Sequence, residues 1–270
     1  MYLDYFGLCE HPFNITPSPR FLYMTDGHRQ ALEHLLFGIR NRKGFIVLTG
    51  DVGTGKTTLC RALLLELGDD YRTGLILNPC LSETQFLRAI LAELGVGPVK
   101  GDRLTLRDLL NRWLLDQVSL HKDVVLIIDE AQHLSLTMLE HIRLLSNLET
   151  DDRKLLQIVL VGQPELAAKL NDPRLRQLRQ RIAVRFALVP LSRDETEGYI
   201  RHRLNVAGGG DRPTFERDAV GTIHERASGI PRLINSISDM SLLAAYAGGT
   251  DCVTMAHVRS AAEELEECLA

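Results

Sequence analysis

Short aliphatic runs alternate with segments of helical periodicity over the first 190 residues of the chain. The runs predict strands at residues 44–49, 73–78, 123–130, 156–162 and 184–191. Runs of consecutive aliphatic residues, such as Val124–Ile128, are typical of strands that are buried on both faces of a parallel sheet. Strands that alternate with helices predict βαβ units with right-handed crossovers.

The pattern changes at Ser192, after which no strand is predicted. Ser192 opens a capping box with Glu195, and helices are predicted near residues 193–206, 214–227, 231–247 and 254–268. The predicted fold class is therefore α/β, with a five-stranded parallel sheet sandwiched by helices and followed by a small all-helical domain. We place the boundary between an α/β domain of residues 1–190 and a helical domain of residues 191–270.

The composition is that of a soluble globular protein. Of 270 residues, 45% are hydrophobic and 24% charged, and the net charge of −4 provides no overall attraction for nucleic acid. The five cysteines include no C-x-x-C pair, which is typical of reduced thiols in a cytoplasmic protein. Residues 1–19 contain no Lys or Arg, and no apolar run approaches the ~18 residues that cross a bilayer, so neither a secretory signal nor a membrane span is predicted.

A glycine-rich loop follows the first predicted strand and opens a helix. Residues 50–57 read GDVGTGKT and match G-x-x-x-x-G-K-[ST] at every fixed position. Glycines let successive backbone N–H groups point at a phosphate, and the helix N-terminus adds its positive dipole end. Lys56 is predicted to bind the β- and γ-phosphates, and Thr57 to bind Mg²⁺. The predicted nucleotide-binding residues of the loop are Gly50, Asp51, Val52, Gly53, Thr54, Gly55, Lys56, Thr57 and Thr58.

An acidic pair ends the third predicted strand. Asp129 is predicted to hold Mg²⁺ beside Thr57, and Glu130 to polarise the water that attacks the γ-phosphate. An aliphatic run that ends in Asp-Glu is common by itself, but here it accompanies the glycine loop. The nine histidines show no metal-binding spacing. The sequence therefore predicts an enzyme that hydrolyses ATP to ADP with Mg²⁺.

These motifs resemble those of the AAA+ ATPases. More narrowly, the chain resembles the ExeA/GspA family of secretion-pathway ATPases, which includes the MshM-like proteins of pilus systems. GDVGTGKT and LIIDEAQ are shared by many ATPases, whereas PFNITPSPRFLY and GQPEL mark the narrower family. The matching stretches span nearly the whole chain, and the resemblance implies a P-loop ATPase domain followed by a helical lid.

The resemblance also implies roles for polar residues outside the loop. Gln163, after the fourth predicted strand, matches the sensor 1 position that contacts the γ-phosphate or water; otherwise it is a polar strand end. Asn78 either restrains the catalytic glutamate or forms a turn before Pro79. Arg232, which follows Pro231 in SGIPR, matches the sensor 2 arginine that reaches the nucleotide; the alternative is a helix-surface charge.

An arginine-rich stretch precedes the last predicted strand. AAA+ proteins place here the arginine finger that is directed at the ATP of the next subunit. Arg181 matches that position best, with Arg179 and Arg185 as rivals. A finger supplied in trans is worth about 10³–10⁵ in rate. The alternatives are a solvated basic helix and a contact for nucleic-acid phosphates.

The first 24 residues are rich in aromatic residues and proline. They are predicted to lie extended against the body of the protein rather than to form a helix. Two interpretations are open. The segment is either a hydrophobic strap over the core, or Phe13 and Ile15 line an adenine pocket in which backbone groups meet the base.

By resemblance, we expect an ATPase at the cytoplasmic face of the inner membrane. It is expected to form a nucleotide-dependent homo-oligomer, such as a hexameric ring, and to drive a secretion or pilus system through a membrane-bound partner. Family members typically continue into a transmembrane helix and a peptidoglycan-binding domain, so the chain is either a shorter relative or part of a longer protein. The alternatives are an ATP-dependent DNA-binding regulator similar to TnsC and TniB, and an ATP-binding scaffold with little turnover.

Overall fold

A computed structural model describes residues 1–16, 18–149 and 154–267, with side chains to residue 265 of the last helix. Pro17 and residue 268, the end of the last predicted helix, lie outside the described residues. The chain forms two compact units. The sheet unit comprises Gly27–Gly50 and Leu59–Leu188, and the helical unit comprises Met1–Asp26, Asp51–Thr58 and Val189–Ala270. The helical unit thus takes in the N-terminal segment and most of the glycine loop, in addition to the residues after 190.

The sheet unit is built on five parallel strands. They are β1 (Phe45–Gly50), β2 (Tyr71–Ile76), β3 (Asp123–Ile128), β4 (Leu156–Gly162) and β5 (Ile182–Leu188). Their order is β2-β3-β4-β1-β5, which places β4 between β3 and β1. The predicted α/β fold with a five-stranded parallel sheet is confirmed, and each strand begins and ends within three residues of its predicted bounds.

Helices connect the strands and form most of the helical unit. They are α1 (Tyr2–Phe6), α2 (Asp26–Arg40), α3 (Lys56–Leu67), α4 (Glu83–Glu93), α5 (Arg103–Ser119), α6 (Leu136–Leu145), α7 (Pro164–Leu170), α8 (Arg176–Arg181), α9 (Arg193–Val206), α10 (Arg217–Ala227), α11 (Pro231–Ala247) and α12 (Met255–Glu267). Short 3₁₀ turns lie at Pro19–Phe21, Gly68–Asp70, Ala131–His133 and Pro173–Leu175. The predicted capping box of Ser192 and Glu195 forms at the start of α9. In the part of the chain that the structure describes, none of the helices has the length and apolar character needed to cross a membrane.

Each face of the sheet has its own hydrophobic core. Successive residues of a strand point to opposite faces, so Phe45 and Val47 pack with α4, α5 and α6, whereas Ile46 and Leu48 pack with α2 and α3. Because helices cover both faces, the central strand β3 is an unbroken aliphatic run from Val124 to Ile128. The functional residues are therefore left to the ends of the strands and the loops that follow them.

The N-terminal segment packs into the core of the helical unit. Its buried aromatic side chains share one cluster with residues of α9, α10, α11 and α12; they are Tyr2, Phe6, Phe13 and Phe21. This packing fits the strap interpretation, but the expectation of a fully extended segment is wrong, because Tyr2–Phe6 forms a helix and Pro19–Phe21 a 3₁₀ turn. Burial of the aromatic side chains stabilises these short turns, which proline and local periodicity do not favour.

The helical unit also contains a short sheet that the sequence does not predict. β6 (Thr214–Phe215) and β7 (Cys252–Val253) pair in parallel, so the unit is not all-helical. Two residues per strand are too few to show a period of two in the sequence.

Candidate functional site

The glycine loop is curled tightly ahead of α3. Gly53 and Gly55 have φ angles of 82° and 95°, in the left-handed region that glycine adopts without strain. Three donors converge on the Asp51 carbonyl oxygen: the N–H and hydroxyl of Thr54, at 3.3 and 2.8 Å, and Nζ of Lys56, at 2.8 Å. Lys56 is buried at the first position of the helix. A curled glycine loop at a helix N-terminus is the backbone arrangement that binds phosphate, and these residues fit that ligand.

The segment that opens α11 contacts this loop. The backbone N–H of Arg232 donates to the Gly53 carbonyl at 3.3 Å, and a Cβ at Gly53 would lie 2.6 Å from Cβ of Arg232. A glycine is therefore required at position 53 both for its φ angle and for this close approach. Pro231 occupies the first turn of α11, and the side chain of Arg232 is exposed. The backbone of Arg232 thus lies at the loop, and the sensor 2 role of its side chain stays a prediction.

A cavity of about 460 Å³ lies in the helical unit. Its walls come from the N-terminal segment and from α11 and α12; the lining residues are His11, Phe13, Asn14, Ile15, Ser236, Asp239, Met240 and Leu265. Arg232, Ser236 and Asp239 fall on one face of α11. Along the helix axis, Ser236 lies about one turn from Arg232, and Asp239 lies about 11 Å from it, so the cavity begins one turn beyond the loop contact. Phe13 is buried against Phe215, and Ile15 is 59% exposed. Both predicted adenine-pocket residues therefore line a cavity on the helix face that also carries Arg232.

A buried arginine holds the N-terminal segment in place. Arg203 of α9 donates to the carbonyl oxygens of Pro12 and Asn14, the latter at 2.9 Å. Its third hydrogen bond goes to the hydroxyl of Tyr199 at 2.8 Å, and its guanidinium lies 4.8 Å from the ring centroid of Phe21. The two carbonyls flank Phe13, so Arg203 fixes one wall of the cavity. Sequence reasoning missed this residue, because an arginine on a predicted helix is usually a surface charge.

Replacing Arg203 with methionine is expected to lower the free energy of unfolding by about 2–4 kcal/mol, because it leaves the buried carbonyl oxygen of Pro12 and the partly buried one of Asn14 without their donor. Chemical denaturation of both proteins measures the difference. The matched control is Arg201→Met on the exposed face of the same helix, which is expected to change stability by less than about 0.5 kcal/mol. Equal losses in the two variants would contradict a clamp at Arg203.

A second polar cluster joins α1 to the cavity wall. The hydroxyl of Tyr2 donates to Oδ1 of Asp239 at 2.6 Å and lies 2.8 Å from Nδ1 of His11. Burial raises the pKa of Tyr2 far above its ordinary value, and the hydrogen bond to Asp239 raises it further. Tyr2 therefore remains a neutral donor and holds the Asp239 carboxylate in the cavity wall.

The predicted catalytic carboxylates lie at the carboxyl end of β3, in the sheet unit. Asp129 is 2% exposed, its N–H donates to the Ile76 carbonyl at 2.8 Å, and its Oδ1 accepts the N–H of Glu130 at 2.8 Å. Glu130 has a φ of 52°, a left-handed conformation that is uncommon for a residue with a side chain. Such conformations cost about 1–3 kcal/mol and concentrate at functional sites. Neither residue belongs to the hydrophobic core that β3 otherwise fills.

Two glutamine side chains surround Glu130. Nε2 of Gln132 and Nε2 of Gln163 both donate to Oε2 of Glu130, the second at 3.4 Å. Gln163 directly follows β4, the neighbour of β3, which explains how a residue 33 positions away reaches Glu130. The structure therefore brings the predicted sensor 1 residue to the predicted catalytic glutamate, together with Gln132, which sequence reasoning missed.

Asn78 forms a turn. Its Oδ1 accepts the N–H of Cys80 at 3.2 Å, and its side chain is exposed two residues beyond the end of β2. Of the two interpretations left open for Asn78, the structure shows the turn before Pro79. The hydrogen bonds described for Glu130 come instead from the two glutamines.

The candidate finger arginines lie in different settings. Arg181, at the end of α8, donates through Nη1 to Oγ of Ser146 at 2.9 Å and to Oδ1 of Asn147. Arg185 is exposed on β5, an edge strand of the sheet. Arg174 begins the same arginine-rich stretch but is not a finger candidate; it pairs with Asp172 at 2.7 Å, and this hydrogen bond lowers the pKa of Asp172 to about 2. Local pairing with Asp172 reduces the positive charge that Arg174 offers to other molecules.

The predicted metal ligands are few. Across residues 1–16, 18–149 and 154–267, the structure contains no group of three or more His, Cys, Asp or Glu side chains arranged to hold a metal ion. The predicted Mg²⁺ ligands, Thr57 and Asp129, offer one hydroxyl and one carboxylate. Two oxygen ligands from the protein fit Mg²⁺, because this ion takes its other ligands from water and from the phosphates of the substrate.

Comparison with known proteins identifies the fold. A family model described as an AAA domain matches residues 39–170. Cdc6p of Pyrobaculum aerophilum is similar over 95% of this chain and 71% of its own, with a TM-score of 0.73 and 21% identity. The ORC2 protein of Aeropyrum pernix, solved as ADPNP–ADP complexes, is similar over 94% of this chain and 71% of its own, with a TM-score of 0.68 and 18% identity. The fold is therefore that of the AAA class of P-loop NTPases, and residues 39–170 match its AAA domain.

Within that class, the chain is 47% identical over 266 residues to General secretion pathway protein A of Aeromonas hydrophila. The match covers 98% of this chain and 48% of that protein, so the chain spans about half the length of this relative. The resemblance to the ExeA/GspA family is confirmed: the chain contains an AAA domain and is related over nearly its whole length to that secretion-pathway protein.

Proposed function

We propose that this chain binds ATP with Mg²⁺ and hydrolyses it to ADP and phosphate, and that the cycle drives assembly or remodelling of a secretion or pilus system. The proposal rests on the conformation of the glycine loop. Left-handed Gly53 and Gly55, buried Lys56 and the hydrogen bond from the Arg232 N–H to Gly53 all lie at this loop and support phosphate binding there. The relative's name, General secretion pathway protein A, supports the secretion role.

Each of these residues has its own role in the proposed reaction. The loop amides and Lys56 bind the β- and γ-phosphates, Arg232 contacts the nucleotide, and the cavity lined by Phe13 and Ile15 takes adenine. The loop contact and the cavity lie on one face of α11, separated by a length that a ribose and its phosphates span. Mg²⁺, when bound to Thr57 and Asp129, neutralises charge on the phosphate oxygens. Glu130 accepts a proton from the attacking water, and Gln163 contacts that water or the γ-phosphate.

The active species is proposed to be a nucleotide-dependent homo-oligomer at the cytoplasmic face of the inner membrane, with an arginine supplied by the neighbouring subunit and a membrane-bound assembly protein as partner. The partner is tested by affinity capture from detergent-solubilised membranes with the Glu130→Gln variant and ATP. A secretion or pilus protein retained with ATP and released with ADP supports the proposal. Retention that is independent of nucleotide counts against an ATP-driven role.

Replacing Lys56 with methionine is expected to weaken Mg–ATP binding by about 10–100-fold, because it removes a charged hydrogen-bond donor to the phosphates. Titration calorimetry measures both affinities, and Mg–ADP serves as a second ligand. The control is Lys100→Met, an exposed lysine in the loop before α5, which is expected to bind as the unchanged protein does. Well-folded protein that takes up neither nucleotide would overturn the proposed function.

A further inference from the structure

The side chain of Gln132 is engaged at both of its polar atoms. It is 8% exposed; its Oε1 accepts the backbone N–H of Gln163 at 3.1 Å, and its Nε2 donates to Oε2 of Glu130. One amide thus links the residue after β4 to the carboxylate after β3. A buried amide whose donor and acceptor are both used has a single orientation, so it fixes the groups that it bonds.

The backbone around Gln132 is held as firmly as its side chain. Nζ of Lys169, from α7, donates to the carbonyl oxygens of Gln132 and Leu134, the latter at 2.8 Å. A Cβ at Gly162 would lie 2.8 Å from Oε1 of Gln132, so glycine at the end of β4 makes room for the amide. Lys169 and Gly162 therefore set where the Gln132 amide can lie.

We propose that Gln132 is a positioning residue for hydrolysis, which fixes the Glu130 carboxylate and couples it to Gln163. Both amide donors contact Oε2, so Oε1 is the oxygen that is left to take the proton of the attacking water. The left-handed backbone at Glu130 aims the carboxylate, and the Gln132 amide stops its rotation. This inference rests on the proposed function, because it assigns Gln132 a part in the same reaction.

The test compares kcat and KM for Mg–ATP in the unchanged protein and in Gln132→Met, which keeps the length of the side chain but not its amide. We expect kcat to fall about 10–100-fold with KM within about twofold, because a hydrogen bond to a charged group is lost. Gln132→Met and Gln163→Met together are expected to cost less than the product of the two single effects, because the two amides act on one carboxylate.

The matched control is Gln157→Met. Gln157 is also buried in β4 but accepts a hydrogen bond from the N–H of Gly44 at 2.8 Å, at the opposite end of the strand. This variant is expected to lose stability and to keep kcat. If Gln132→Met does not fold, Lys169→Met takes its place in the test. This variant removes the donor to the carbonyls of Gln132 and Leu134 but keeps the Gln132 side chain, and it is also expected to lower kcat.

Three results would overturn the inference. These results are a kcat within twofold of the unchanged protein, a rise in KM in place of the fall in kcat, or an equal loss of kcat in Gln157→Met. Glu130→Gln in the same assay distinguishes failure of the proposed function from failure of the role assigned to Gln132. Full turnover in Glu130→Gln removes the proposed function, whereas loss of turnover there with normal kcat in Gln132→Met removes only the role of Gln132.

Discussion

Replacing Glu130 with glutamine is expected to lower the turnover of ATP by about 10²–10⁴-fold and to leave the affinity for Mg–ATP unchanged. Glutamine has the size of glutamate but cannot accept the proton of the attacking water. The amides of Gln132 and Gln163 still meet an oxygen at the same place, so the surroundings are preserved. Phosphate release measured under saturating ATP gives the rate, and calorimetry gives the affinity.

The control for this variant is Glu165→Gln. Glu165 is exposed in the first turn of α7, two residues after Gln163, and its replacement removes the same charge near the end of β4, the strand beside β3. Turnover in this control is expected to stay within about twofold of the unchanged protein. Equal turnover in Glu130→Gln and the unchanged protein would show that another group takes the proton.

Replacing Arg181 with alanine is expected to lower turnover by about 10³–10⁵-fold, because the neighbouring subunit's ATP loses the positive charge that stabilises the transition state. In the proposed arrangement the arginine acts in trans, so the specific activity of the unchanged protein is expected to rise with protein concentration. Dilution series of phosphate release measure both effects. The same series with Arg179→Ala and Arg185→Ala decides among the three candidates.

Two further measurements separate a finger from a structural contact. Asn147→Ala removes one of the two acceptors that Arg181 bonds within its own chain but keeps the guanidinium, so turnover is expected to be retained. Mixing Arg181→Ala with Glu130→Gln is expected to restore activity, because the first variant keeps Glu130 and the second supplies Arg181. A mixture that stays inactive, together with activity that is flat on dilution, would rule out an arginine in trans.

The sheet and the loop are predictable because their signals are local. Strands buried on both faces need runs of aliphatic residues, as in Val124–Ile128, and a glycine loop between strand and helix has a fixed spacing. The positions of Asp129 and Gln163 follow from the same logic, because carboxyl ends of parallel strands meet at one edge of the sheet.

Residues whose role depends on distant partners escape such reasoning. Gln132 is hydrogen-bonded to Gln163, which is 31 residues away, and Arg203 to carbonyls that are about 190 residues away. A polar residue after a strand, or an arginine on a helix, has the same local pattern whether or not it meets such a partner. The helix at Tyr2–Phe6 was unexpected for the same reason, since its burial depends on side chains of α11 and its neighbours.

The helical unit combines the first 26 residues with residues after 188, so its core cannot close until the last helices have been synthesised. Translation of the intervening residues takes on the order of ten seconds at cellular rates. During that interval Tyr2, Phe6 and Phe13 have no core to enter, while the sheet unit can complete its own fold. The nascent chain therefore presents an aromatic, aggregation-prone segment that chaperones are suited to shield.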